Sequence, residues 1–175
     1  INNRPFYILL DVLFEHNHYS ELVQKEIQND LLLTEPEYLT VSLPSANCIL
    51  ADKLTAFAPH TTGIPLNSGK DMEVMKQFYD VSSLLEIFTD FQQIGPTYGK
   101  IAQAEIAYRG IESNSKDCLW DTFEAALCIA SRGKVSKGEY PIYVKGIREL
   151  RSHIYAENYT PEIAAGRAAK IMYMA

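Results

Sequence analysis

The chain has 175 residues, of which 47% are apolar and 22% charged, and a formal net charge of −6. That length can bury one sizeable core, or one core with an appendage, and the composition is ordinary for a soluble globular protein. No apolar run approaches a membrane span, and no internal repeat or low-complexity tract is present.

The first residues, Ile1-Asn2-Asn3-Arg4-Pro5, are not a signal peptide. With no initiator Met and a strand beginning almost at once, the chain is expected to have further sequence upstream. Phe6-Tyr7-Ile8-Leu9-Leu10-Asp11-Val12-Leu13-Phe14 is too short and too rich in aromatic and β-branched residues for a helix. It predicts a strand buried on both faces. Asp11 interrupts that run between Leu9 and Leu13. A buried carboxylate there needs a metal, a cation or a proton; the alternative is a solvated face or strand end. His16 and His18, with no third ligand in view, are expected to be turn residues.

From Tyr19 to about Lys25 the sequence reads as polar, helical or irregular. Tyr38-Leu39-Thr40-Val41-Ser42-Leu43 alternates as a half-buried strand. Pro44-Ser45 ends it, with Ser45 a plausible N-cap. A helix from Ala46 to Phe57 follows, with Leu50, Leu54 and Phe57 on one stripe. Residues 58–70 hold two Pro, two Gly and several hydroxyls, and predict a long, shaped loop. Asp71 to Thr89 carries a full apolar helical stripe through Val74, Phe78, Val81, Leu85 and Phe88. Further helices are predicted over Thr97–Tyr108, Asp117–Ser131, Tyr143–Tyr155 and Pro161–Tyr173, the last started by Thr160-Pro161. The fold class is therefore α+β: about three strands, then a mostly helical bundle, divided near residue 90 into segments 1–90 and 91–175.

Cys48, Cys118 and Cys128 form no CxxC and no zinc spacing, which fits buried thiols in a reducing cytoplasm. Charge is uneven. Residues 1–131 carry 8 basic and 18 acidic side chains, whereas residues 132–175 carry 8 and 4. The basic 132–170 region could be an RNA footprint or only a solvated helix surface.

Lys53 borders the buried stripe of its helix, so it either snorkels to water or directs its ammonium into a cleft. Asp80, on the following helix, can pair with Lys76 at i,i+4, or can orient Lys53 or act as a base beside it.

Ile49-Leu50-Ala51-Asp52-Lys53-Leu54-Thr55-Ala56-Phe57-Ala58-Pro59, followed by Thr61-Thr62-Gly63-Ile64-Pro65 and Lys76-Gln77-Phe78-Tyr79-Asp80, resembles the AbiEii/AbiGii-type nucleotidyltransferases, bacterial toxin and phage-defence (abortive-infection) proteins. The matching stretch covers roughly residues 5–90. The resemblance implies a partial nucleotidyltransferase-like sheet carrying these helices. It also implies Mg²⁺ and a nucleoside triphosphate as cofactor and substrate, and an acceptor that can be RNA. Asp11 matches a metal-binding carboxylate position, Lys53 a phosphate contact and Asp80 a catalytic motif. Thr55, Thr61 and Thr62 are weaker candidates for lining the cleft or contacting phosphate. The family's Gly-Ser turn and following DxD pair are missing, and Gln77 stands where many relatives have Asp. As given, this chain is expected to be an incomplete catalyst, the carboxyl-terminal part of such a toxin with an antitoxin protein as a possible partner. The competing expectation is a non-catalytic protein-interaction or RNA-binding module of a defence system.

Overall fold

A computed structural model describes residues 9–12, 14–28 and 33–175. Two strands, β1 (Leu22–Glu26) and β2 (Thr40–Pro44), precede six helices. These are α1 (Ala46–Ala56), α2 (Asp71–Leu84), α3 (Ile94–Arg109), α4 (Ser115–Ala130), α5 (Tyr140–Leu150) and α6 (Pro161–Met174), with a short 3-10 turn at Arg151–His153. The fold is α+β with a helical majority.

The strands pair antiparallel, with Leu22 opposite Pro44 and Glu26 opposite Thr40. Residues 22–26, read as helical or irregular, are strand because β2 supplies their hydrogen bonds. The strand predicted over 6–14 is not met where it is described. Residues 6–8 and 13 lie outside the described residues, while Leu9 to Val12 and Phe14 adopt no strand. Leu9, Leu10 and Phe14 are 85%, 80% and 98% exposed, so they do not pack on either face. Asp11 is exposed with them.

The core lies among the helices. Leu50, Leu54 and Phe57 of α1 and its C-terminus meet Val74, Met75, Phe78 and Val81 of α2, and the cluster continues through Ile129, Tyr143 and Ile147 to Ala164, Ala168 and Ile171. This single cluster runs through the position near residue 90 that divides the two sequence segments. Helix starts follow their capping chemistry. Ser45 accepts from the Cys48 amide, Asn114 and Asp117 form a reciprocal capping box, and Thr160 accepts from the Ile163 amide ahead of Pro161, each satisfying amide groups that the first helical turn leaves unpaired. Helix α2 ends at Leu84, five residues before the predicted Thr89, and the chain turns through 85–88 instead. Gly95-Pro96 lies within the first turn of α3 and starts that helix rather than separating two; Pro is suited there because the first-turn amide has no helical acceptor.

Gly146 sets how closely α5 approaches α2. A Cβ there would stand 2.2 Å from the Asp71 carbonyl oxygen and 2.7 Å from Met75 Cγ. Gly146→Ala is expected to destabilise by about 1–3 kcal/mol through overpacking. Gly166→Ala, on an exposed helix face with nothing within 4 Å, is expected to stabilise by about 0.5–1 kcal/mol. Denaturant unfolding of the two variants checks the contrast.

Candidate functional site

Helix α1 points Lys53 across to α2. Its Nζ lies 3.1 Å from Asp80 Oδ2 and donates to Gln77 Oε1 at 3.1 Å. Lys76 approaches the same Asp80 oxygen at 3.5 Å. The Lys53 and Asp80 side chains are 29% and 28% exposed, so the group sits at a surface rather than in the core. Two ammonium groups and one carboxylate leave a net positive cluster. An ammonium has three N–H donors; Gln77 and Asp80 take two on Lys53, leaving one for a ligand.

The floor beside this cluster comes from the turn after α1. Thr62 is buried and its hydroxyl donates to the Thr55 carbonyl at 2.7 Å, while the Gly63 amide donates to Ala58 at 2.7 Å. No side chain fits at 63, where a Cβ would lie 2.6 Å from the Ala56 carbonyl oxygen. Thr55 donates to the Asp52 carbonyl at 2.7 Å. Thr61 donates to Asp121 Oδ2 at 2.8 Å. All three threonine hydroxyls proposed from sequence thus donate within the protein: they build the turn. A cleft of about 160 Å³ opens between this turn, Gln77 and Arg109.

Asp52 and Glu105 also border a larger cleft of about 450 Å³, walled by His16, His18, Tyr19 and the base of the ribbon; that volume is in the range of small-molecule sites. Tyr19 donates to Asp52 Oδ2 at 2.9 Å, and burial followed by the Asp52 charge pushes its phenol up to about 12. Ser20 Oγ reaches Gln93 Oε1 and Thr97 Oγ1, both at 2.8 Å. These bonds tie the ribbon's base to α1 and α3.

Lys53 and Asp80 are therefore together. Asp11 lies in the exposed amino-terminal stretch. Among the described residues, no group of three or more His, Cys, Asp or Glu side chains is arranged to hold a metal ion. A second cluster has no sequence signature at all. Asp121, 5% exposed on α4, accepts from the His60 amide at 2.8 Å and lies 2.6 Å from His60 Nδ1, while Glu139 lies 2.9 Å from Nε2. Only an acidic residue among the buried α4 positions Cys118, Thr122 and Ala125 could have drawn attention to it.

Comparison with protein-family models, with curated proteins and with solved structures finds no match.

A part-exposed pair such as Lys53–Asp80 contributes at most about 1 kcal/mol to stability. A double-mutant cycle with Lys53→Ala and Asp80→Ala is expected to give a coupling of about 1 kcal/mol or less. By contrast, Thr62→Val should cost about 1–3 kcal/mol, because the buried Thr55 carbonyl loses its donor. Urea unfolding of the four variants checks both values.

Proposed function

We propose that this chain belongs to a nucleotidyltransferase-like toxin of a bacterial defence system, transferring a nucleotide from a nucleoside triphosphate to an acceptor such as RNA. One observation carries the reading. Lys53 and Asp80, from two separate pieces of the resemblance, meet at 3.1 Å, and Gln77, which accepts from Lys53, lines a cleft of about 160 Å³. A positively charged, part-exposed cluster with a spare N–H suits a phosphate group.

In this reading the acceptor hydroxyl attacks the α-phosphorus and pyrophosphate leaves. Lys53 offsets negative charge on the phosphates. Asp80 is a positioning residue, since its Oδ2 already receives both Lys53 and Lys76. The nucleoside end would reach toward the larger cleft at Tyr19 and Asp52. Mg²⁺ would neutralise charge on the transferring phosphoryl group, but the described residues form no cluster that fits it. Asp11 as its ligand remains part of the proposal, and no step of this chain's chemistry is assigned through the ion.

Lys145, Arg167 and Lys170 pair with Asp71, Glu157 and Glu86. Arg132, Lys134, Lys137, Arg148 and Arg151 have no ion-pair partner among the described residues, so an RNA acceptor would meet these five first. No described helix is long and apolar enough to cross a membrane. Three free, buried cysteines suit a reducing cytoplasm, the proposed location.

A specific observation also favours a second reading, a protein-interaction module that binds an antitoxin or another defence partner. Leu9, Leu10, Phe14 and Leu39 stand 75–98% exposed around the ribbon, and exposed apolar surface of this kind marks interfaces.

Incubating the intact protein, rather than this chain by itself, with labelled nucleoside triphosphates, Mg²⁺ and cellular RNA separates the two. The transferase reading expects labelled RNA, lost by at least about 100-fold in Lys53→Ala, since a charge-stabilising contact made in the transition state is worth several kcal/mol. Full transfer by a folded Lys53→Ala protein would overturn the assignment. No transfer by the wild type, with a partner protein bound regardless of Lys53, would favour the interaction module.

A further inference from the structure

We propose that His60 is a proton-operated latch: held as an imidazolium between Asp121 and Glu139, it fastens the loop after α1 to the start of α5. The proposal stands apart from the nucleotide-transfer reading.

The geometry carries it. His60 Nδ1 lies 2.6 Å from Asp121 Oδ1, and Nε2 lies 2.9 Å from Glu139 Oε1. Carboxylates accept, and a neutral imidazole has only one N–H. Both contacts are hydrogen bonds at once only when both ring nitrogens carry protons. Asp121 is committed as an acceptor on its other oxygen too, taking the His60 amide and the Thr61 hydroxyl, each at 2.8 Å. The partners come from different elements: His60 follows α1, Asp121 lies on α4, and Glu139 precedes α5. The proton on His60 therefore joins three segments that chain connectivity leaves far apart.

Among the described residues, Asp121 and Glu139 are the charged side chains within ion-pair distance of the ring. Tyr98 of α3, Cys128 of α4 and Tyr143 of α5 lie around the two carboxylates, and burial raises all three, Cys128 to about 11. They stay uncharged near neutrality. Arg132 and Glu162 lie beyond, around Tyr140. Burial by itself would lower the proton affinity of His60. The hydrogen bond and charge of Asp121, then those of Glu139, outweigh it and raise the pKa above the ordinary 6.5.

The direction follows. A raised folded pKa gives stabilisation that is complete below the unfolded value, about 6.5, and lost as pH rises through the folded value. The latch is thus closed below about pH 6.5 and opens as the pH rises through the raised His60 value. Losing one proton sets a ring lone pair against a carboxylate. Glu139, 34% exposed against 5% for Asp121, is the partner that swings away, while Asp121 keeps the His60 amide and Thr61.

Imidazole nitrogen–proton correlation spectra of the whole chain, from pH 5.5 to 9, test this. His60 is expected to titrate above the ordinary 6.5, carrying both ring protons below it. Glu139→Gln should lower the His60 pKa without unfolding the protein, since Asp121 is untouched. Amide exchange protection at Ile142, which donates to the Glu139 carbonyl, should fall through the same titration, by about tenfold for each unit by which the measured pKa exceeds 6.5, while the His60 amide stays on Asp121. A neutral His60 ring below pH 6.5, or a His60 pKa unmoved by Glu139→Gln, would overturn the imidazolium assignment. A cationic His60 whose titration leaves Ile142 equally protected would overturn the latch.

Discussion

The turn that reverses the chain after α1 is the constraint on which the arrangement of the helices around the site depends. Its backbone doubles back onto the helix it leaves, with Thr62 on the Thr55 carbonyl and Gly63 against Ala56 and Ala58. Neither contact survives a larger or apolar replacement without cost, because one needs a hydroxyl and the other needs no Cβ. The same turn is fastened sideways to α4 through Asp121, and Thr122, the next residue on α4, donates to the Leu54 carbonyl at 3.2 Å. Helix α1 is therefore fixed in rotation by polar contacts at its end as well as by Leu50, Leu54 and Phe57 in the core. That rotation decides which way Lys53 points.

The two polar clusters use charge differently. Lys53, Lys76 and Asp80 are part-exposed and combine two cations with one anion, so their mutual attraction is screened and the group keeps capacity for another anion. Asp121 is buried and fully used by its neighbours. Truncating it would leave the part-buried His60 amide and Thr61 hydroxyl without this acceptor, and unmade hydrogen bonds cost stability. The first cluster keeps an N–H uncommitted within the chain, whereas the second spends its carboxylate on the chain itself.

Much of the helical half was legible because its apolar stripes and caps are local signals. The stripe through Val74, Phe78 and Val81 predicts α2, and Ser45 and Thr160 mark helix starts that the fold uses. The Lys53–Asp80 pairing was open from the residues, beside the Lys76–Asp80 alternative, and the resemblance favoured it; periodicity alone does not bring together side chains on two helices. His60, Asp121 and Glu139 were invisible because their partners lie 61 and 79 residues apart. The Phe6–Phe14 expectation fails where it is described for a different reason. An apolar run states that burial is favourable, but a strand also needs a partner for its amides and carbonyls, and Leu9 to Val12 find none in the ribbon.

That failure also orders the parts by stability. The helices share one continuous core, whereas both strands of the ribbon are almost wholly exposed. A two-stranded hairpin by itself is marginal in water, so the ribbon depends on its base, where Tyr19 and Ser20 bind Asp52, Gln93 and Thr97. Tyr19 and Asp52 also wall the larger cleft. Any ligand that fills this cleft by contacting both the ribbon base and α1 would order the ribbon as it binds. Conversely, anything that adds strands to the ribbon would stiffen the cleft wall next to Lys53. The least stable part of the fold is thus coupled, through two hydroxyl-bearing residues, to the helix that carries the site.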